Sequence, residues 1–232
     1  MKKNICIAGK NSIVVAGLSY ILEKYHDEFQ ILALGDKKDD SIDKWQPSYL
    51  KYAKEQGVKI IELEDLYDLD NLTFISLEYF RLIDPKKFRT DQLFNIHFSL
   101  LPAYRGMYTS AHPILNDEDE TGCTIHEIDA GIDTGNIISQ TSFEIKDSDT
   151  CKDVYENYLI YGRSLVFSTI DSLVERSWES YPHPKLGGSY FSMKSIDYSN
   201  LSINTNCNSS DLINQIRAFT FRDYQLPKLF DE

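Results

Sequence analysis

The chain has 232 residues, of which 42% are hydrophobic and 12% aromatic, and its formal net charge is −12. This composition can bury a core and excludes wholesale disorder. No run of about 18 apolar residues occurs, so we expect no transmembrane helix and no membrane partner. The acidic balance argues against nucleic acid as a partner. The four cysteines are far apart, which favours reduced thiols in a cytoplasmic protein and no metal site.

Short apolar segments alternate with helical patterns in the first half of the chain. Ser12 is expected to cap the first helix, and Gly57 to end the second, over residues 49–56. Apolar strands separated by helices indicate an α/β fold, with a Rossmann-like, mostly parallel sheet flanked by helices. Ligands bind such sheets at the carboxyl ends of the strands. The predicted strands are residues 5–8, 29–34, 58–63, 72–77 and 93–98.

The second half begins with two more predicted strands, 124–128 and 136–145, followed by a long amphipathic helix from Val154 to Leu173. After residue 181 the composition changes to proline, glycine and polar residues. We expect a small C-terminal α+β appendage there that packs on the preceding domain. The predicted domains are residues 1–180 and residues 181–232. The predicted elements of the appendage are a hairpin over 189–198, a loop over 200–210 and a helix over 211–219.

An amide, an imidazole and a carboxylate stand out as candidates for chemistry. Asn95 and His97 are two residues apart at a strand end, so both side chains point to the same face. Together they can bind a developing oxyanion and move a proton. Asp133 lies on a glycine-rich loop, and a carboxylate near His97 would orient the imidazole and favour its protonated form. Taken singly, a structural histidine and a turn-forming aspartate explain these residues equally simply.

Residues 95–106 read Asn-x-His-x-Ser-Leu-Leu-Pro-x-Tyr-Arg-Gly, and residues 129–135 read Asp-x-Gly-x-Asp-Thr-Gly. The separation of His97 from Asp133 is 133 − 97 = 36 residues. In order and spacing, the two motifs resemble the folate-dependent formyltransferase family. That family includes methionyl-tRNA formyltransferase, glycinamide ribonucleotide transformylase and the sugar-nucleotide N-formyltransferases. The resemblance covers roughly residues 3–175 and implies the formyltransferase fold.

The resemblance implies that Asn95, His97 and Asp133 catalyse direct formyl transfer from N10-formyltetrahydrofolate to an amine. It also places a pterin slot between the segment after the fourth strand and the loop that carries Asp133. Such a slot needs apolar walls edged by backbone polar groups. Ordinary core packing is the alternative for Phe80 and Leu82. The residues implied to bind the co-substrate are Phe80, Arg81, Leu82, Ile83, Ile128, Asp129 and Ile132.

The C-terminal segment separates the possible acceptors. Residues 187–192 and 216–227 resemble the tails of bacterial sugar-nucleotide N-formyltransferases. The implied acceptor is a nucleotide-linked amino sugar, with dTDP-4-amino-4,6-dideoxyglucose favoured, for a surface glycan such as the O-antigen of lipopolysaccharide. The choice of C3 or C4 amine, and of dTDP or UDP, stays open. The alternatives are a glycinamide ribonucleotide formyltransferase and a non-catalytic folate- or nucleotide-binding module.

Acceptor contacts are expected from the turn after the first strand, from residues 104–106 and from the C-terminal segment. The turn after the first strand exposes amide donors suited to a phosphate or sugar, although a plain helix cap explains it equally well. Arginines of the tail can bind a pyrophosphate and an aromatic ring can stack on a base, unless these aromatics seal a small core. The candidate substrate residues are Lys10, Asn11, Ser12, Tyr104, Arg105, Gly106, Arg217, Phe221, Arg222 and Tyr224.

The resemblance also suggests a homodimer that forms through the predicted C-terminal hairpin.

Overall fold

The computed structural model describes residues 3–184 and 187–228. The strands are β1 (Lys3–Gly9), β2 (Phe29–Gly35), β3 (Lys59–Ile60), β4 (Leu72–Leu77), β5 (Leu93–His97), β6 (Arg105–Gly106), β7 (Glu120–Glu127), β8 (Ile137–Glu144) and β9 (Tyr190–Phe191). The α-helices are α1 (Asn11–Tyr25), α2 (Tyr49–Glu55), α3 (Leu63–Leu66), α4 (His112–Leu115), α5 (Cys151–Glu175) and α6 (Ser209–Phe219). A 3-10 turn covers Pro85–Lys87.

Seven strands form one sheet in the order β3-β2-β1-β4-β5-β7-β8. Strand β1 is parallel to both β2 and β4, β2 is parallel to β3, and β4 is parallel to β5. The α/β fold with a mostly parallel sheet is therefore confirmed. Because β1, β4 and β5 are parallel neighbours, their carboxyl ends meet at one edge of the sheet, where ligands of such folds bind.

The apolar strands form because they are covered on both faces. All six residues of β4 are buried, as are all but the first of β1. Helix α1 presents a buried stripe to them that includes Val14, Leu18 and Ile21. At Gly9, where β1 ends, φ is +153°, and a Cβ would lie 1.8 Å from the carbonyl oxygen of Leu77. The glycine thus permits the close approach of the ends of β1 and β4.

Two local predictions are wrong. The predicted strand over residues 58–63 is limited to β3, and Leu63 begins helix α3 instead, because a short apolar run does not distinguish strand from helix. Ser12 is not a helix cap: the cap position belongs to Lys10, which makes no side-chain capping bond. The Ser12 amide instead donates to Oε1 of Gln46 at 3.1 Å. Helix α2 ends as predicted, with Gly57 at φ +68°.

The chain divides into two compact units whose segments alternate along the sequence. Unit 1 consists of Met1–His97, Ile125–Ser139 and Arg163–His183. Unit 2 consists of Phe98–Thr124, Gln140–Gly162 and Pro184–Glu232. The division into a catalytic domain, 1–180, and a C-terminal region, 181–232, stays a prediction. No helix in the described parts of either unit is long and apolar enough to cross a membrane.

In unit 2, the C-terminal segment does not form the predicted hairpin. Strand β9 pairs in parallel with β6, with Arg105 opposite Tyr190 and Gly106 opposite Phe191. The prediction over residues 189–198 is wrong because the partner strand lies far away in sequence. Helix α6 begins two residues before its predicted start, and Oδ1 of Asn208 caps it by accepting from the amide of Asp211 at 2.8 Å.

A buried histidine packs on this small sheet of unit 2. The His112 ring stacks on Phe191 with ring centroids 3.8 Å apart, and its Nε2 lies 2.9 Å from Oγ of Ser195. Burial lowers the pKa of His112 to about 4. The site therefore favours the neutral imidazole.

We expect His112 to destabilise the protein in mild acid. Its pKa rises towards the ordinary 6.5 on unfolding, so the unfolded chain takes up the proton first. The contribution to stability is complete above about pH 6.5 and is lost as the pH falls towards 4. Between pH 7 and pH 5 the unfolding free energy in urea should fall by on the order of 1 kcal/mol more in the wild type than in His112→Gln. Equal losses in the two proteins would contradict this role.

Candidate active site

The structure brings Asn95, His97 and Asp133 together within unit 1. His97 is the last residue of β5, and its Nδ1 lies 3.5 Å from Oδ2 of Asp133. The two side chains are only 9% and 15% exposed, so water screens this contact poorly. The carboxylate thus directs the imidazole. The catalytic roles of the three residues stay predictions.

Asn95 is held by hydrogen bonds on both sides of its amide. Its Oδ1 accepts from Oγ of Ser76 at 2.7 Å, and its Nδ2 lies 3.1 Å from Nε2 of His126. Ser76 is its register partner on β4, which explains the first contact. The half-buried amide is therefore fixed in one plane before any ligand binds.

His126 is the member of the cluster that the sequence analysis missed. It lies on β7, its side chain is 3% exposed, and its Nε2 is 3.6 Å from Oδ1 of Asp133. Its Nδ1 lies 2.7 Å from the backbone oxygen of Glu127. The available signal was a histidine in a buried strand that leads directly into the loop of Asp133.

The loop that carries Asp133 is tightly built. Oδ1 of Asp129 accepts from the amide of Gly131 at 3.0 Å and from Oγ1 of Thr134 at 2.6 Å. Asp133 itself has φ +51°, a left-handed conformation that aspartate tolerates better than most residues. A Cβ at Gly135 would lie 1.8 Å from the carbonyl oxygen of Glu127. The loop can therefore close back on β7 only with glycine at this position.

The residues predicted to hold the pterin fall into two groups. Phe80 and Leu82 are 60% and 77% exposed, so core packing does not explain them. Ile83 and Ile128 are partly buried against the apolar cluster around β1 and β4. The segment after β4 therefore presents exposed apolar surface, and the partly buried isoleucines beside it pack on the core.

The other predicted members of the slot are polar or lie at its edge. Arg81 donates from Nη2 to Oε1 of Glu64 at 2.9 Å, which fixes the side chain beside α3. Asp129 is exposed, but its carboxylate supports the loop. Ile132 is half-buried immediately before Asp133. The roles of all these residues in binding the co-substrate stay predictions.

The turn after β1 has fewer available donors than the sequence suggests. The Lys10 amide donates to the carbonyl of Leu77 at 3.4 Å, and the Ser12 amide is taken by Gln46. Asn11 has φ +65° and donates from Nδ2 to Oε2 of Glu78 at 3.2 Å. These contacts count against an anion site at the turn.

Tyr104 and Gly106, predicted acceptor contacts, have structural roles within unit 2. Tyr104 is 7% exposed, and its hydroxyl donates to Oε1 of Glu118 at 2.6 Å. Burial and that carboxylate raise the pKa of Tyr104 to about 12. A Cβ at Gly106 would lie 2.2 Å from the backbone oxygen of Phe191, so this glycine allows β6 and β9 to pair. Arg105 is half-buried, and its Nε donates to the Ser189 carbonyl at 3.4 Å.

The C-terminal residues predicted to contact the nucleotide fall into two groups: side chains that bond or pack within unit 2, and side chains that are exposed. The Arg217 guanidinium donates to the backbone oxygens of Lys146 at 2.7 Å and Asp149 at 2.9 Å, and to Asn214. These bonds explain Arg217 as a support for unit 2 and count against the predicted pyrophosphate contact. Phe221 packs near Tyr155, with ring centroids 5.9 Å apart. Arg222 and Tyr224 are exposed and stay candidates for nucleotide contact.

The fold and the cluster at the sheet edge define the class of protein. Residues 44–170, more than half of the chain, match the formyl transferase family. The matched range contains Asn95, His97 and Asp133. The chain therefore belongs to the formyl transferase family, as its motifs indicate.

Two solved structures are similar over almost the whole chain. One is WlaRD, a sugar 3N-formyl transferase determined in the presence of dTDP and 5-N-formyl-THF: identity is 45%, the TM-score is 0.93, and the match covers 98% of this chain and 82% of that chain. The other is an N-formyltransferase from Helicobacter canadensis in complex with folinic acid and dTDP-3-aminofucose. Its identity is also 45% and its TM-score 0.93, and the match covers 98% of this chain and 84% of that chain.

Among the curated relatives, the methionyl-tRNA formyltransferase of Staphylococcus aureus (strain MW2) is 31% identical over 179 residues. The match covers 73% of this chain and 57% of the relative. The chain thus spans less than two thirds of the length of that relative, and the likeness does not by itself transfer its acceptor.

Replacing Gly135 tests whether the loop sets the site. In Gly135→Ala the new methyl group meets the Glu127 carbonyl, so the loop must shift, at a cost of about 1–3 kcal/mol. We expect kcat for formyl transfer to fall at least roughly tenfold as Asp133 moves from His97. The matched control is Gly57→Ala, where a Cβ meets nothing within 4 Å and only the backbone is strained. That control should lose about 1 kcal/mol of stability with unchanged kcat.

A Gly135→Ala protein that is folded and as active as Gly57→Ala would show that the close approach to Glu127 does not place Asp133. Stability is followed by thermal denaturation, and activity by release of tetrahydrofolate.

Proposed function

We propose that the protein transfers a formyl group from N10-formyltetrahydrofolate to the amine of a dTDP-linked amino sugar. The observation that carries the proposal is the grouping of Asn95, His97 and Asp133 at the carboxyl end of β5. Family membership supports formyl transfer. The two structures at 45% identity, determined with dTDP or a dTDP-amino sugar and with a formylated folate, support both substrates.

His97 supplies charge to the reaction. Its Nδ1 faces Asp133, and we propose that its Nε2 contacts the reacting atoms. In the protonated ring, Nε2 donates to the oxygen of the formyl group as negative charge develops there. The neighbouring carboxylate stabilises that imidazolium and keeps it in plane, with little competition from water.

Asn95 supplies a second, neutral donor. One hydrogen on Nδ2 is directed to His126, and the other is available to the same formyl oxygen. A fixed donor needs no reorganisation when the oxyanion forms, and its loss typically costs about 2.7–4 kcal/mol of barrier. The fixed plane of the Asn95 amide therefore serves transition-state stabilisation.

The reaction balances without an oxidant or reductant. The neutral amine of the sugar attacks the formyl carbon and forms a new C–N bond, which gives a tetrahedral intermediate with negative charge on the formyl oxygen. The bond from that carbon to N10 then breaks, and the C=O bond is restored. The amine loses one proton and N10 gains one, so the products are the formamide and tetrahydrofolate. Asp133 and His97 form the pair of groups in unit 1 suited to carry that proton.

The folate is a co-substrate that unit 1 fits on chemical grounds. A flat pterin needs apolar surface edged by polar backbone, and exposed Phe80 and Leu82 supply apolar surface beyond β4. We propose Ile83, Ile128 and Ile132 as its base and rim. We propose that Asp129 supports folate binding by holding the loop of Asp133, and that Arg81 does so through its bond to Glu64 of α3.

The two similar structures favour a 3-amino sugar as the acceptor. One is described as a 3N-formyl transferase and the other holds dTDP-3-aminofucose. We therefore place a dTDP-linked 3-amino sugar ahead of the dTDP-4-amino-4,6-dideoxyglucose expected from the tail motifs. Arg222 and Tyr224 are the tail residues whose exposure suits contact with a nucleotide. We propose a homodimer and a role in surface glycans from the resemblance, and a cytoplasmic location from the four separated cysteines.

An acceptor series tests this function. The protein is supplied with N10-formyltetrahydrofolate and, in turn, a dTDP-3-amino sugar, a dTDP-4-amino sugar, the corresponding UDP sugars and glycinamide ribonucleotide. We expect the dTDP-3-amino sugar to give the highest kcat/KM, by roughly tenfold or more over the 4-amino sugar, since a misplaced amine is a poor nucleophile. The product is identified by mass spectrometry and the folate by its absorbance.

The other results are equally informative. Preference for the 4-amino sugar would support the expectation from the tail motifs, and preference for glycinamide ribonucleotide would overturn the sugar proposal. Thermal stabilisation by dTDP or folate without turnover of any amine would indicate a binding module that lacks catalysis.

A further inference from the structure

His126 carries a hydrogen on Nδ1. That nitrogen lies 2.7 Å from the backbone oxygen of Glu127, and a carbonyl oxygen can only accept. In the neutral ring, Nε2 therefore has a lone pair and must accept. The nearest donor to it is Nδ2 of Asn95 at 3.1 Å. The neutral tautomer with its hydrogen on Nδ1 therefore satisfies both hydrogen bonds of the ring, one to the Glu127 carbonyl and one from Asn95.

The opposite side of the Asn95 amide agrees with this assignment. Oδ1 accepts from the hydroxyl of Ser76 at 2.7 Å, so the amide nitrogen must face His126. A hydroxyl on one side and an imidazole lone pair on the other fix the amide in one of its two flipped orientations. Without His126, rotation about the last side-chain bond would exchange nitrogen and oxygen at little cost.

We propose that His126 is a positioning residue for formyl transfer: its Nε2 accepts from Asn95 and thereby directs the amide that donates to the formyl oxygen. This inference rests on the proposed function. His126 is a buried member of the cluster on β7, and its contact with Asn95 is the route by which it acts. It is not placed among the groups that touch substrate.

Asp133 lies between the two rings: its Oδ1 is 3.6 Å from Nε2 of His126, and its Oδ2 is 3.5 Å from Nδ1 of His97. A hydrogen on Nε2 of His126 would point at the Asn95 amide nitrogen, which can only donate, so the contact with Asn95 also favours the tautomer with the hydrogen on Nδ1.

The strand end that carries His126 is braced from its other side. The Glu127 carboxylate accepts from Nε1 of Trp178 at 3.0 Å and from Oγ of Ser180 at 3.0 Å. The Trp178 ring also packs edge-on against Phe94 of β5. The carbonyl that fixes the His126 tautomer thus belongs to a residue held in place, which makes the tautomer a property of the fold.

Three substitutions separate positioning from packing. Gln can place an oxygen near the position of Nε2 and accept from Asn95. Asn can replace the Nδ1 donor to the Glu127 carbonyl but has no atom near Nε2. Leu removes both contacts. With the acceptor and folate that give the highest turnover, we expect kcat to fall roughly tenfold to hundredfold in His126→Asn and His126→Leu, with KM for both substrates within about twofold. His126→Gln should recover most of that loss.

A double-mutant cycle with Asn95 shows whether His126 acts through the amide. In an Asn95→Ala background, His126→Leu should lower kcat by less than about twofold, because the amide it directs is already absent. Loss of the full factor in that background would overturn the proposal, as would wild-type kcat in folded His126→Asn. Equal loss in all three single variants, with no recovery by Gln, would also overturn it.

Failure of this inference is distinguishable from failure of the proposed function. A wild-type protein that formylates no amine contradicts the function, whereas an active wild type with an unaffected His126→Asn contradicts only the role of His126. If His126→Leu is unstable, the comparison of Gln with Asn decides the outcome, since both retain a polar side chain of similar size at the buried position.

Discussion

The site depends on holding the Asp133 carboxylate against two imidazoles in a largely buried position. A carboxylate costs free energy when it leaves water, and only a fixed partner recovers it. His97 provides that partner, while the loop that carries Asp133 folds back so closely that a Cβ at Gly135 would lie 1.8 Å from the carbonyl oxygen of Glu127. The contact therefore combines an electrostatic attraction with a backbone constraint that sets its geometry.

The sheet determines where this contact lies. Parallel pairing of β4 with β5 puts Ser76 beside Asn95, and the end of β5 presents His97 at the edge where ligands of such folds bind. Strand β7 contributes His126 immediately before the loop. Buried strands form the base of the site, and the chain beyond β4 contributes exposed apolar surface at Phe80 and Leu82. In the proposed function, the groups that carry the chemistry and the surface that binds the folate therefore come from different parts of the chain.

Much of this arrangement is encoded locally and could be predicted. Continuous apolar strands indicated the parallel sheet, and the two-residue spacing of Asn95 and His97 indicated a shared face. His126 was missed because its role depends on tertiary contacts. Asn95 lies 31 positions before it in the sequence, and Asp133 lies seven positions after it. Pairing of β9 with β6 was missed for the same reason. Local patterns also could not show that the Arg217 guanidinium donates hydrogen bonds to backbone carbonyls of unit 2.

We propose that the negative charge of Asp133, held against His97, makes the cluster catalytic. The most direct test is the kcat of Asp133→Asn, which preserves shape and the tolerance of asparagine for positive φ while removing the charge. We predict a loss of roughly hundredfold or more in a protein that melts within a few degrees of the wild type. Near-wild-type turnover by the folded variant would contradict the account.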